Sequence, residues 1–159
     1  MTALTENGPL GLYYEEFDVG QMLVTRGRTV TEADIVQFGT LTGDFNPMHM
    51  DAEYCKTSFM GKRVAHGMLG ISYAIGQLYQ LGVLDGTILA FRELEAKFSV
   101  PIFIGDTITI KATVKEKKDA ARLGGGMVKF DLRIINQEGK TITKAGITLL
   151  MASKPTDEA

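Results

Sequence analysis

Reactive thiols are almost absent from this sequence, because only Cys55 among its 159 residues is a cysteine. A single cysteine excludes a disulfide within the chain and is typical of proteins from a reducing compartment. A lone cysteine is more often a small buried hydrophobe than a nucleophile. We therefore do not expect thiol catalysis.

A large excess of either charge is also missing. The formal net charge is −2 and the isoelectric point is near 5.7. Nucleic acid and an anionic membrane surface are therefore not expected partners, whereas local basic residues can still bind a small anionic substrate. The first ten residues, M-T-A-L-T-E-N-G-P-L, lack the basic start and apolar stretch of a secretory signal. These absences predict a cytoplasmic protein.

Charged residues are absent from residues 64–84, V-A-H-G-M-L-G-I-S-Y-A-I-G-Q-L-Y-Q-L-G-V-L. This length and apolarity raise the possibility of a membrane span. The glycines and polar side chains of the run favour the alternative, a helix that is surrounded by protein. We predict one long helix from Val64 to Leu84, enclosed by a sheet. Leucine at Gly70 or Gly76 should then overpack the core.

The rest of the chain predicts an antiparallel sheet. Alternating apolar and polar residues predict strands at 106–118, 127–135 and 141–151, with N-Q-E-G at 136–139 closing a hairpin. The run from 88 to 103 adds a strand that is broken near Pro101. The predicted fold class is α+β, with a curved antiparallel β-sheet wrapped around a long central α-helix. We expect a single domain over residues 1–159, with its core at about 12–152 and short loose ends at 1–10 and 154–159.

A short helix is predicted between Arg28 and Gly43. Thr31 is a suitable N-cap and Gly43 a suitable stop. The apolar residues assigned to one face of this helix are Ile35, Phe38 and Leu41. The helix would end immediately before Asp44.

Asp44 and His49 lie on either side of an Asn-Pro pair. A separation of five residues places two side chains about 140° apart around a helix and on opposite faces of a strand. They converge only if the chain turns, and Pro47 favours a turn because it fixes its own φ and biases Asn46 away from the helical region. From spacing alone, Asp44 can also be interpreted as a helix stop or turn residue and His49 as a surface histidine.

Three motifs occur in order along the chain: G-D-F-N-P-M-H-M-D at 43–51, A-H-G-M-L at 65–69 and F-S-V-P-I-F-I-G-D at 98–106. With these motifs the sequence resembles the MaoC-like hydratases, the (R)-specific enoyl-CoA hydratases or hydratase 2 family of the hotdog fold. The resemblance covers about residues 12–152. It implies a dimer whose two sheets join, or a dimer-based oligomer, with acyl-CoA entering near the subunit interface.

The resemblance also assigns roles to residues. Asp44 and His49 match the catalytic pair, and the backbone N–H of Gly67 matches the oxyanion donor. The residues expected to shape the site or contact substrate are Asn46, Pro47, His66 and Ser72. Of these, His66 is expected to pack at the start of the helix rather than react.

Hydration of an α,β-unsaturated thioester needs a base for water, a proton source for C2 and stabilisation of charge on the thioester oxygen. A carboxylate and an imidazole that share one water supply the first two, and the N–H groups at a helix start supply the third. Such a site requires no metal and no cofactor beyond the CoA of the substrate. The implied activity is reversible hydration of trans-2-enoyl-CoA to (R)-3-hydroxyacyl-CoA.

Other interpretations stay open at this stage. A hotdog thioesterase and a non-catalytic subunit that binds acyl-CoA or an acyl carrier share the fold. A metal site formed by His49, Asp51 and His66 is conceivable. Lys62 and Arg63 are candidates for contacts with CoA phosphates, although surface basic residues are usually only solvated.

Overall fold

The computed structural model describes residues 11–155; the whole predicted N-terminal loose end, 1–10, and the outer part of the C-terminal one, 156–159, lie outside this range. The helices are α1 (Glu32–Thr42), α2 (Pro47–Met50), α3 (Ala52–Thr57) and α4 (Gly67–Gln80), with 3₁₀ turns at Tyr14–Glu16 and Ala121–Leu123. The strands are β1 (Met22–Val24), β2 (Arg28–Thr29), β3 (Ile88–Phe98), β4 (Thr107–Ala120), β5 (Gly125–Ile135) and β6 (Thr141–Ala152).

The strands form one antiparallel sheet in the order β1-β4-β5-β6-β3, and β2 also pairs with β4. The strands predicted from alternation are therefore confirmed. The predicted hairpin is present between β5 and β6, where Asn136 donates its N–H to the Lys140 carbonyl at 3.0 Å and Gly139 has a φ of 76°. Sequence patterns missed β1 and β2 because two or three residues are too few to show alternation.

The helix α4 packs its buried side against the sheet. Leu69, Ile71, Ala74 and Leu78 join one apolar cluster with the inward-facing residues of β4, β5 and β6. Full burial of each large aliphatic side chain in such a cluster stabilises the fold by about 1.5–3 kcal/mol. Gly70 lies at a close approach, since an added Cβ would come within 2.7 Å of Ile102 Cδ1. This contact fits the prediction that a larger residue there overpacks the core.

The predicted bounds of this helix are wrong at both ends. Val64 forms a β-bridge with Phe103, and Ala65 donates its N–H to the Ile102 carbonyl at 2.8 Å, so the chain is extended before Gly67. At the other end Gly82 takes a φ of 80° just after the helix. An uncharged run does not mark helix ends, because buried extended backbone is equally apolar. No helix within residues 11–155 is long and apolar enough to cross a bilayer.

Enclosure of α4 by its own sheet is also only half correct. One side of the helix, called here the open face, is exposed and consists of Met68, Ser72, Gly76 and Tyr79. An added Cβ at Gly76 would meet no atom within 4 Å, so the predicted overpacking at this position is wrong for the single chain. The sheet leaves this side of the helix uncovered.

Strand β3 forms one edge of the sheet and is exposed on both faces. Its exposed residues include the large apolar side chains of Phe91, Leu94 and Phe98. A long edge strand has unpaired backbone groups on one side and can pair with another chain. The edge formed by β3 is therefore the part of the sheet that is most available for association.

The predicted short helix is confirmed as α1. Thr31 accepts a hydrogen bond from the Asp34 N–H at 3.2 Å, and Gly43 ends the helix with a φ of 79°. Ile35 is fully buried, but Leu41 is 83% exposed. Leu41 lies six residues after Ile35, which is about 240° around the helix, so its assignment to the buried face was wrong.

The chain near the C-terminus is held as far as Lys154, which was expected to begin a loose end. The Lys154 N–H donates to the Glu15 carboxylate at 3.0 Å, and its ammonium group pairs with Glu16 at 2.9 Å. This part of the predicted tail is therefore packed against the first 3₁₀ turn.

Candidate active site

The Asn-Pro pair begins a short helix rather than a simple turn. Asn46 is the N-cap of α2, where its side-chain oxygen accepts the Met48 N–H at 3.3 Å, and Pro47 is the first helical residue. Proline suits this position because its fixed φ is helical and the missing N–H has no partner there. The Asp44 carboxylate accepts the Asn46 N–H at 3.3 Å. The chain reversal that brings Asp44 towards His49 thus comes from α2.

His49 is held by the backbone of a distant segment. Its Nδ1 lies 2.8 Å from the Val64 carbonyl oxygen, and its side chain is buried. A carbonyl only accepts hydrogen bonds, so Nδ1 carries the proton and Nε2 of the neutral ring is a free acceptor. This Nε2 lies 3.9 Å from Asp44 Oδ2. The gap exceeds a hydrogen bond of about 2.7–3.2 Å, and both atoms are acceptors.

His66 packs at the start of α4, as expected, and it also contacts both members of the pair. Its Nε2 lies 2.9 Å from the main-chain oxygen of Asp44, and therefore donates to it. Its ring stacks on that of His49 with centroids 3.8 Å apart. His66 thus fixes the backbone of the acid and one face of the imidazole. Its own Nδ1 is buried without a partner in the described part of the chain.

Gly67 is the first residue of α4. An added Cβ would come within 2.9 Å of the Phe98 ring, so a larger residue there would require this ring to shift. Within residues 11–155, no acceptor is found for its backbone N–H, as expected for the first turn of a helix. Gly67 and His49 both line a cavity of about 410 Å³ whose walls are mainly apolar. The structure therefore places an imidazole acceptor and a helix-start donor around one space.

The lining of this cavity includes residues that sequence reasoning did not single out. Three methionines contribute to its wall, Met48, Met60 and Met68, together with Phe98 and Thr143. Met side chains are flexible and polarizable, so such a wall adapts to different apolar groups. Nothing in the spacing of these methionines indicates that they converge, because they come from different elements.

Two predicted neighbours lie elsewhere. Ser72 is on the open face, where its hydroxyl donates to the Met68 carbonyl at 2.9 Å, and it does not line the cavity. Asp51 caps α3 by accepting the Tyr54 N–H at 2.9 Å. The metal set that included Asp51 is therefore not assembled.

Metal-ligating atoms do come together in a different set. Within the described residues, one ligand atom each of Asp44, His49 and His66 lie within 4.8 Å of one another. His66 Nε2 is already committed to a backbone oxygen, and a metal would have to displace that hydrogen bond. The unoccupied acceptors are Asp44 Oδ2, His49 Nε2 and the buried His66 Nδ1. The first two lie 3.9 Å apart, a combination that suits a hydrogen-bonded water.

The basic residues proposed for CoA phosphates have partners of their own. Arg63 forms an ion pair with Glu32, and the Lys62 ammonium lies 4.2 Å from the centre of the Phe103 ring. Their contact with substrate stays a prediction.

Residues 16–131 match the family model described as MaoC like domain. This chain belongs to the MaoC-like family. Its sheet and central helix confirm the hotdog fold that the motifs predicted.

Relatives with curated names include the Protein MaoC of Klebsiella aerogenes, which is 40% identical over 109 residues. That match covers 69% of this chain but only 32% of the Klebsiella protein, so the chain spans about a third of that relative. An (R)-specific enoyl-CoA hydratase of Rhodospirillum rubrum is 35% identical over 64% of this chain and 69% of its own length. Among solved structures, a monoamine oxidase regulatory protein from Archaeoglobus fulgidus is 37% identical, with a TM-score of 0.84 over 91% of this chain and 97% of its own.

Proposed function

We propose that this MaoC-like chain is a hydro-lyase that adds water to trans-2-enoyl-CoA to give (R)-3-hydroxyacyl-CoA, and catalyses the reverse dehydration. The names of its hydratase relatives support this reaction. The observation that carries the proposal is the gap of 3.9 Å between two acceptors, His49 Nε2 and Asp44 Oδ2. A water that donates one hydrogen to each acceptor fits this gap.

The proposed reaction uses that water as both nucleophile and proton source. Its oxygen adds to C3 of the enoyl group while Asp44 and His49 take the released proton. The same pair then delivers a proton to C2, so the whole water molecule is added. Because the Val64 carbonyl holds the His49 tautomer, Nε2 is available as the acceptor before each turnover.

Charge that develops on the thioester oxygen needs a donor in place beforehand. The Gly67 N–H at the start of α4 has no acceptor in the described chain, and the helix adds the positive end of its dipole. Loss of one such donor typically costs about 10² to 10³ in rate. We assign the oxyanion contact to Gly67, with Asn46, Pro47 and His66 positioning the acid–base pair.

The proposed partner is an acyl-CoA thioester, and no nucleic acid or membrane partner is proposed. No metal or cofactor is required by this chemistry, and we expect exhaustive chelation to leave hydration unchanged. We retain the cytoplasm as the proposed location.

We further propose a homodimer, or an oligomer built from dimers, that forms through β3. The edge strand β3 and the open face of α4 meet at the cavity, because Phe98 of β3 and Met68 of the open face both line it. Pairing of two β3 strands would satisfy the free backbone groups and join the two sheets. It would also close the exposed side of the cavity, because Phe98 is both the last residue of β3 and part of the cavity wall.

The function is tested by following loss of the enoyl-thioester absorbance with crotonyl-, hexenoyl-, decenoyl- and mesaconyl-CoA. Coupling to an enzyme that consumes (R)-3-hydroxyacyl-CoA should pull the reaction forward. Exclusive (S) product would contradict the assignment. Release of free CoA would instead show the thioesterase, and binding without turnover would show the non-catalytic subunit.

A further inference from the structure

A second cavity, of about 620 Å³, lies between the β1–β2 connection and the last turn of α4. It is remote from the candidate active site, because Gly67 and Gln77 are ten residues apart, or about 15 Å along the helix axis. It is also at the edge of the sheet near β1 and β2, whereas β3 forms the opposite edge. A dimer formed through β3 would leave this cavity accessible.

The charged groups that line the cavity are both cationic. Arg26 and Arg28 contribute to its wall, and no carboxylate does. In the described chain Arg26 has no ion pair. Arg28 is fixed by Asp34 at 3.3 Å and by the ring of Tyr73, whose centroid lies 3.8 Å away. A guanidinium has five N–H donors, so the single contact with Asp34 leaves donors of Arg28 unused.

A buried amide adds an unused donor. The Thr25 hydroxyl accepts the Ile110 N–H at 3.0 Å and donates to Gln77 Oε1 at 2.8 Å. The Thr25 hydroxyl also lies 3.0 Å from the Arg26 carbonyl oxygen, so the two acceptors share its single hydrogen. Gln77 is only 5% exposed, and its Nε2 has no partner within residues 11–155. A buried donor without an acceptor is costly, and such groups usually meet a ligand, an ion or water.

The C-terminal end of α4 adds a partial negative charge, which opposes the positive charge of the arginines. Gln80 and Leu81 also line the cavity, and carbonyl groups at a helix end carry about half a negative charge. The Asp34 carboxylate offsets the charge of Arg28, whereas the charge of Arg26 has no ion-pair partner in the described chain, so the balance in the cavity stays positive. Arginine forks match the oxygens of carboxylates and phosphates. A volume of this size suits a small metabolite more than one water.

We propose that this cavity binds a small oxyanion, the carboxylate or phosphate group of a metabolite, through Arg26, Arg28 and Gln77. Arg26 supplies a free guanidinium, Arg28 a pre-oriented one, and the Gln77 amide the donor at the buried end. The ligand binds about three helical turns from the candidate oxyanion donor, so this second site is independent of the hydration chemistry.

The test measures binding of inorganic phosphate and of succinate to the full-length protein by calorimetry, at constant ionic strength set with chloride. Saturable binding of at least one anion is expected. Arg26→Gln should weaken it by about 10-fold or more, since a hydrogen bond to a charged group is worth that much. Arg122→Gln is the matched control, because Arg122 is an exposed arginine in another part of the chain, and it should bind as the wild type does.

Two further variants locate the ligand. Gln77→Met keeps the side-chain volume but removes the amide, and should also weaken binding; its fold is checked by thermal unfolding. His49→Ala should leave binding unchanged, which separates this cavity from the candidate active site. The proposal is overturned if neither anion binds saturably, if Arg26→Gln binds as the wild type does, or if His49→Ala abolishes binding.

Discussion

At the first turn of α4, Asp44, His49 and His66 come together within one chain, with ligand atoms no more than 4.8 Å apart. On the open face of the same helix, an added Cβ at Gly76 would meet nothing within 4 Å. The first region is complete because contacts within the chain build it, namely an N-cap, a hydrogen bond to a backbone carbonyl and a ring stack. The second region is not covered by its own chain and borders the edge strand β3. A single chain thus assembles the reacting groups but does not enclose them.

The largest expected effect is on kcat, through the Asp44–His49 pair that a single chain assembles. Asp44→Asn and His49→Ala should each lower kcat by about 10² to 10⁴, the usual value of acid–base assistance. If both groups hold one water, the double variant should lose much less than the product of the two losses. Steady-state kinetics at saturating substrate measure this, and circular dichroism checks the fold. Multiplicative losses would show independent roles, and wild-type turnover by Asp44→Asn would falsify the mechanism.

The next largest effect is expected on association through β3, next to the open face of α4. Leu94→Asp places a charge on the apolar edge of β3 and should weaken association by more than about 100-fold, because an unpaired charge buried in an interface costs several kcal/mol. Sedimentation velocity measures the oligomeric state. Val19→Asp is the control, since Val19 is an exposed apolar residue that precedes β1 at the other edge. If Leu94→Asp assembles as the wild type does, the interface does not lie at β3.

The two sides of α4 are compared directly by one substitution at two positions. Gly70→Leu should lower the free energy of unfolding by about 1–3 kcal/mol, because the new side chain collides with Ile102. Gly76→Leu should not destabilise the isolated chain and should raise its free energy of unfolding by up to about 1 kcal/mol, because leucine is a better helix former than glycine. Any unfavourable effect should appear only in association. Urea unfolding of both variants in the dissociating Leu94→Asp background separates the two effects. Equal destabilisation by both would mean that the open face is covered within one chain.

The smallest effect is expected at Ser72. Its hydroxyl is exposed and bonded to its own helix, so Ser72→Ala should change stability by less than about 0.5 kcal/mol. The values of kcat and KM for crotonyl-CoA should stay close to those of the wild type. A clear rise in KM with unchanged stability would show that Ser72 meets substrate after association, as the family resemblance implies.

Local signals in the sequence predicted much of this structure. Thr31 and Gly43 set the ends of α1, and alternation found the long strands, because caps and pleats depend on neighbours in the chain. The convergence of Asp44 and His49 was predictable only through the motif, since the spacing alone left it open. The partner of His49 was not predictable at all. Val64 contributes through its backbone oxygen, which carries no residue-specific signal.

The errors share one physical cause. The uncharged run from 64 to 84 was read as one enclosed helix, whereas its first residues pair with Phe103 and its open face lacks a cover. Hydrophobicity reports removal from water and does not say whether a strand, a helix or a second molecule removes it. The same ambiguity affected Leu41, whose apolar side chain suggested a core position that the helix geometry does not provide.

The contact between Phe98 and Gly67 links the edge of the sheet to the candidate oxyanion donor. The Phe98 ring is 52% exposed in the single chain and lies against the first residue of α4. Any partner that covers β3 would therefore also contact the ring that packs against Gly67. We expect specific activity to depend on enzyme concentration, falling on dilution below the dissociation constant of the assembly and recovering when the protein is concentrated again.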